Sequence, residues 1–301
     1  MRYADNAEWI PNPERRNALK LQYLGTAAAE AIPAVFCNCE VCRKSRELGG
    51  RHLRTRSQAL VNDDLLIDFP CDAYAHALRF GIDYSKIDHC IITHTHGDHL
   101  FPWELNHLKP HNQYERGVFH VFGSEDVEAA ISGPVANAKG FLQFHRVEPF
   151  EPFQIGSYRI TALKAAHGTA HPYIYLIEDE TGSLLYAHDT DLFPEETMEY
   201  LKRVKPALGL ISLDCTEGAH EDLNYHGHMC LGRNVRCRND LIDCGVADEN
   251  TVFVLNHFSH NGLSVGYDDF CALAEPLGFV VSYDGMTVDC IAKEIAPEFS
   301  K

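Results

Sequence analysis

The run Thr93-His94-Thr95-His96-Gly97-Asp98-His99 limits what this chain can become more than any other stretch of it. Three imidazoles and a carboxylate fall between positions 94 and 99, directly after the apolar run Cys90-Ile91-Ile92, whose β-branched residues mark a buried strand. On an extended backbone His94, His96 and Asp98 share one parity, and Gly97 frees the chain to turn so that His99 comes round to the same point. A strand that ends in such a loop can feed two metal ions. In a chain of 301 residues with 18 histidines, this pattern arises by chance with a probability of roughly one in two hundred.

The remainder reads as strands and helices in alternation. Strands are expected at Leu19 to Leu24, at Gln58 to Val61 and Leu65 to Phe69 around an Asn62-Asp63-Asp64 turn, at Ile87 to Thr93 and at Phe119 to Phe122. Helices are expected at Ala73 to Phe80, at Pro102 to Leu108 and after a capping Ser124, whose followers are acidic. Ala27 to Arg56 reads as a loop. From Leu142 to Ala187 the period is mostly two, which predicts a β-meander, with His167 and Asp189 each following a strand. Glu195 to Val204 then predicts a helix, Leu208 to Leu213 a strand, Arg233 to Cys244 a helix, and Thr251 to Leu255 a strand ahead of His257. A last helix near Tyr267 to Leu277 precedes a hairpin with an Asp284-Gly285 turn. No repeat or low-complexity linker divides the chain, so residues 1–301 read as one domain of two sheets packed together with helices outside.

Charge and cysteine usage narrow the function. A formal charge of −17 repels polyanions, which argues against an extended nucleic-acid surface or an anionic membrane as partner. The exception is local: Arg43, Lys44, Arg46, Arg51, Arg54 and Arg56 form a positive cluster, read either as a solvated face or as a rim that attracts phosphate. Eleven cysteines is an odd number without a disulfide framework, and they read as reduced thiols. Met1 to Lys20 carries Asp5, Glu8 and Glu14 and lacks an apolar run of signal length, and no later stretch approaches a membrane span, so a cytoplasmic protein is expected.

The histidine motif, followed at long intervals by His167, Asp189 and His257, resembles the metallo-β-lactamase superfamily over nearly the whole chain. That resemblance implies an αββα sandwich in the α/β class, two mixed sheets with helices outside. It implies one metal held by His94, His96 and His167, a second held by Asp98, His99 and His257, and Asp189 bridging the two. Asp191 competes for the bridge, and Asp189 is preferred because it lies closer to the end of the strand Leu184-Leu185-Tyr186-Ala187. Imidazole and carboxylate suit zinc, iron or manganese, of which zinc and manganese are expected, and a water between two such ions loses its proton near neutral pH and becomes a nucleophile. Asp68, at the end of its strand, is expected to hydrogen-bond a ligand histidine.

Cys37, Cys39 and Cys42 add three thiolates, and a tetrahedral structural zinc needs a fourth donor, for which His260 is placed three residues after His257. This combination is similar to the cyclic-phosphodiesterase branch associated with phosphonate degradation. In the phosphodiesterases of the superfamily a non-ligand histidine from this region contacts the phosphate, which here points to His228 in Asn224-Tyr225-His226-Gly227-His228-Met229, with His226 as its rival. His228 and Asp98 are thus the catalytic candidates. The expected reaction is hydrolysis of a small anionic phosphodiester, and a homodimer is a further expectation. A thioester or lactone hydrolase, a tRNA-processing endonuclease and a non-catalytic metal-binding scaffold are the alternatives; the endonuclease would need a basic RNA-gripping surface that a charge of −17 opposes.

Overall fold

A computed structural model describes residues 18–109, 117–261, 265–291 and 295–296. The acidic residues Asp5, Glu8 and Glu14 lie outside the described residues. In chain order the strands are β1 (Lys20–Gly25), β2 (Gln58–Val61), β3 (Leu65–Ile67), β4 (His89–Ile91), β5 (Phe119–Gly123), β6 (Leu142–Arg146), β7 (Phe153–Ile155) and β8 (Tyr158–Lys164). They continue as β9 (Tyr173–Glu178), β10 (Ser183–Ala187), β11 (Leu208–Asp214), β12 (Val252–Asn256), β13 (Phe279–Val281), β14 (Thr287–Asp289) and β15 (Ile295–Ala296). The helices are α1 (Glu40–Leu48), α2 (Ala73–Phe80), α3 (Pro102–Leu105), α4 (Glu125–Ala138), α5 (Glu195–Val204), α6 (Leu231–Asp243) and α7 (Tyr267–Ala274).

These strands make two sheets, ordered β15-β14-β1-β2-β3-β4-β5-β6 and β13-β12-β11-β10-β9-β8-β7. Both are mixed: β14, β1, β2 and β3 pair antiparallel while β3 to β6 run parallel, and β7 to β10 pair antiparallel while β10 to β13 run parallel. Parallel strands are buried on both faces, which is why β11 and β12 read as continuous apolar runs. Three apolar layers result. Tyr23, Ile67, Ile91, Tyr175, Tyr186 and Val254 meet between the sheets. Val127 and Ile131 of α4 cover the first sheet, and Leu201, Leu241 and Phe270 of α5, α6 and α7 cover the second. The αββα sandwich implied by the sequence is therefore observed. The buried tyrosine hydroxyls are satisfied, Tyr23 donating to Ser212 Oγ at 2.8 Å and Tyr175 to the Ile92 carbonyl at 2.8 Å.

Four expectations change. Residues 27–56 are not all loop, because α1 begins at Glu40; it is short and highly charged, and buries only Cys42 and Ser45, so its periodicity is faint. Leu142 to Arg146 does not open the meander, since β6 pairs parallel with β5 after the α4 crossover, and the meander starts at β7. Asp284-Gly285 is a turn but not of a hairpin: β13 pairs with β12 in one sheet and β14 with β1 in the other, so the turn carries the chain between sheets. Buried Asp284 anchors it, accepting from Thr26 Oγ1 at 2.7 Å, Thr55 N at 2.8 Å and Thr55 Oγ1 at 2.7 Å. Ser124 precedes α4 and acidic residues follow it, yet its hydroxyl makes no capping bond.

The basic cluster is mostly consumed by the fold. Arg54 is buried and donates to Thr26 Oγ1 and the Ser282 carbonyl, Arg56 pairs with Asp72, Lys44 pairs with Glu40, and Arg46 donates to the carbonyls of Ala34 and Cys37. Among the described residues no helix is long and apolar enough to cross a membrane.

Candidate metal centre

The candidate ligands all lie at carboxyl ends of strands, the usual place for a site in an α/β sheet. Asp68 follows β3, the histidine motif follows β4, His167 follows β8, Asp189 follows β10 and His257 follows β12. Asp68, Asp189 and His257 have φ of 67°, 51° and 63°, a left-handed backbone that costs a side-chain-bearing residue about 1–2 kcal/mol each. That conformation turns each chain sharply as it leaves the sheet, so the side chain folds back over the strand end. Gly97, by contrast, is not left-handed; the motif turns because His99 N–H and Leu100 N–H both donate to the His96 carbonyl, at 3.0 and 2.9 Å.

Two groups contain the expected ligands, and a third joins Asp189 and His257 to Asp214 and His228. The donor atoms of His94, His96, His167 and Asp189 lie within 4.8 Å of one another, and so do those of Asp98, His99 and His257. Asp189 reaches both, with Oδ1 3.5 Å from His167 Nε2 and Oδ2 2.9 and 3.0 Å from His99 Nε2 and His257 Nε2. Asp191 faces the other way, toward Arg233 Nη1 at 2.8 Å.

Behind these ligands, acceptors fix the ring tautomers. Asp68 Oδ2 lies 2.6 Å from His99 Nδ1, Thr216 Oγ1 lies 2.8 Å from His257 Nδ1, and the Gly227 carbonyl lies 2.9 Å from His167 Nδ1. With the proton held on Nδ1, each Nε2 presents a lone pair. His99 Nε2 and His257 Nε2 then face each other at 3.1 Å, as do His96 Nδ1 and His167 Nε2 at 3.1 Å, while His94 Nε2 and Asp189 Oδ2 are buried without a hydrogen-bond partner. Lone pairs packed so closely repel unless cations lie among them, so this donor set fits two divalent ions of the zinc or manganese kind.

One residue of the site carried no sequence signal strong enough to single it out. Asp214 ends β11 fully buried, accepting from Asp189 N at 3.0 Å, Thr216 N at 3.0 Å, Met229 N at 2.9 Å and His228 Nδ1 at 3.0 Å. The available hint was an aspartate closing an apolar strand, the pattern Asp68 also shows. Burial lowers the His228 pKa, but Asp214 with help from Asp189 more than offsets this and raises it to about 9. His226 does not share that place; its Nδ1 meets Asp191 Oδ2 at 2.5 Å.

A separate cluster brings Cys37, Cys39, Cys42 and His260 together, their donor atoms within 4.8 Å. Cys39 stands at the start of α1 with its Sγ 3.8 Å from His260 Nδ1. Burial would raise the Cys39 thiol, but the Cys42 N–H and His260 outweigh it and lower its pKa to about 6. Three sulfurs and one imidazole suit tetrahedral zinc.

A model of the beta-lactamase superfamily domain matches residues 65–258. No curated protein sequence matches the chain. Among solved structures, a diphosphatase from the PhnP family is 24% identical with a TM-score of 0.70, covering 90% of this chain and 96% of that one. The metallo-beta-lactamase fold protein YhfI from Bacillus subtilis is 19% identical, with a TM-score of 0.65 over 90% of this chain and 99% of its own. The short form of human tRNase Z is 14% identical, with a TM-score of 0.60 over 89% and 98% respectively. At these identities the likeness is one of fold.

Proposed function

Because the chain belongs to the beta-lactamase superfamily, and because two ligand groups converge on Asp189, we propose that it is a dinuclear-metal phosphodiesterase acting on a small or cyclic phosphodiester. His94, His96 and His167 would hold one divalent cation, Asp98, His99 and His257 the other, with Asp189 between them. Bound there, such cations supply Lewis acidity that activates water and takes up charge developing on the phosphoryl oxygens.

The chain's own residues do the rest. Asp98, in the second ligand group, would also orient the attacking water and accept its proton. His228, cationic at neutral pH beside Asp214, donates a proton to the leaving oxygen, whose negative charge would otherwise build up in the transition state. Asp68 and Thr216 orient the ligand imidazoles. Cys37, Cys39, Cys42 and His260 would hold a structural zinc, tying the start of α1 to the loop bearing His257.

The observation that carries the reading is the packing of imidazole lone pairs around Asp189, with the His228–Asp214 pair at its edge. The PhnP-family neighbour is itself a diphosphatase, which favours phosphorus over an acyl carbon as the attacked centre. Protein reconstituted with manganese or zinc should hydrolyse bis(p-nitrophenyl) phosphate, His94→Ala should abolish this, and acyl-thioesters should be inert. A metal-loaded wild type that cleaves no phosphodiester of a broad panel would refute the reading.

A further inference from the structure

A buried ion pair stands behind the candidate site, where three of its loops meet. Asp191 and Arg233, with side chains only 5% and 6% exposed, join at 2.8 Å through Oδ1 and Nη1. Asp191 lies two residues beyond Asp189, and its N–H donates to the carbonyl of Ala166, next to His167, at 3.0 Å. The Ala166 N–H in turn donates to Thr190 Oγ1 at 2.9 Å, so the loops that bear Asp189 and His167 are laced together here.

The guanidinium adds the third loop. From the first turn of α6, Arg233 donates through Nη1 to the Tyr225 carbonyl at 2.9 Å, through Nη2 to the Leu223 carbonyl at 2.6 Å and through Nε to Asp222 Oδ1 at 2.8 Å. Among the described residues, no carbonyl or amide of 221–226 bonds to another main-chain group, so Arg233 supplies the anchors of this segment. The next residues are Gly227, whose carbonyl lies 2.9 Å from His167 Nδ1, and His228, whose ring centre lies 4.8 Å from that of His167 and 5.9 Å from that of His257. Burying charged groups costs desolvation, and none of these four bonds serves α6 itself.

We infer that Arg233 and Asp191 are positioning residues, which fix the His228 loop against the loops of Asp189 and His167 and so set the reach of His228 toward the leaving oxygen. The assignment rests on the phosphodiesterase reading above. Arginine suits the task because its planar fork holds a carboxylate and two carbonyls in fixed relative directions, whereas a lysine ammonium is a point charge on a flexible stem. Misplacing a reacting group by about 1 Å can cost ~10²-fold in rate. Here that cost falls on leaving groups that need the proton: p-nitrophenolate departs largely unprotonated, while phenolate, a stronger base, depends on the donor.

The test compares methyl p-nitrophenyl phosphate with methyl phenyl phosphate on metal-loaded protein and reads the ratio of the two kcat values. A loss of folded protein lowers both rates alike and leaves the ratio unmoved. Arg233→Ala should raise the ratio, p-nitrophenyl over phenyl, by about 10–100-fold, and added guanidinium should bring it back toward the wild-type value. Arg233→Gln, uncharged and of similar length, should move it the same way by a smaller factor, and it decides the matter if the alanine protein does not fold. In a His228→Ala background, where the donor is already gone, Arg233→Ala should add nothing to the ratio. A ratio unmoved by the Arg233 variants, or one that rises as much in the His228→Ala background, would overturn the assignment alone. A wild type inert toward both diesters would overturn it together with the phosphodiesterase reading.

Discussion

Asp68→Asn changes one atom of the protein and should cripple one metal position. Asp68 is fully buried, and its carboxylate accepts from Thr93 N at 2.8 Å, Thr93 Oγ1 at 2.9 Å and His99 Nδ1 at 2.6 Å. Asparagine keeps one carbonyl oxygen, which the two Thr93 donors will claim, and must then turn its NH2 toward His99. Two donors cannot face each other, so the His99 proton is driven from Nδ1 to Nε2, and the lone pair aimed at the Asp98–His257 group disappears. Restoring the ligating tautomer leaves a buried donor unpaired, at a cost of about 1–3 kcal/mol, so affinity for that ion should fall ~10–100-fold. Isothermal titration of apo protein with manganese, beside competition with a chelator, reads the loss directly; circular dichroism checks that the fold persists. An Asp68→Asn protein that binds both ions as tightly as wild type would refute the argument.

Other consequences are equally open to measurement. His76 is buried between Gln58 Oε1 and Thr55 Oγ1, and burial pushes its pKa down to about 4. Because the folded value lies below the unfolded one, stability is full above pH ~6.5 and falls as the pH drops toward ~4, by ~3 kcal/mol from this group. Urea midpoints across that range should slope less in His76→Gln, and equal slopes would refute it. A Cβ at Gly209 would lie 2.1 Å from the Cys290 carbonyl, so Gly209→Ala should destabilise by about 1–3 kcal/mol in urea unfolding, and a near-neutral effect would show that the backbone after β14 can yield.

The parts of the site that could be read from sequence are those where chemistry is local. Four donors between His94 and His99 announce themselves by spacing, whereas His167, Asp189 and His257, each following an apolar strand, become candidates through the resemblance of the whole series to the superfamily. Asp214 closes one too, but a lone carboxylate says nothing of the three backbone amides that converge on it. Likewise Asp284-Gly285 specifies a turn through local backbone preference, whereas which sheet each flanking strand joins depends on residues far away in sequence. The helix at Glu40 is faint in the sequence because a short charged helix needs few buried positions, and the roles of Arg54 and Arg56 are not legible there because their partners, Ser282 and Asp72, lie in no shared window of sequence.

Elemental analysis of protein purified without added metal tests the central claim most directly. About three metals per chain are expected, with zinc retained in His94→Ala and one zinc lost in Cys39→Ser while the other two ions remain. Loss of all metal in Cys39→Ser alone, or a single ion per chain in wild type, would contradict a dinuclear centre beside a separate zinc site.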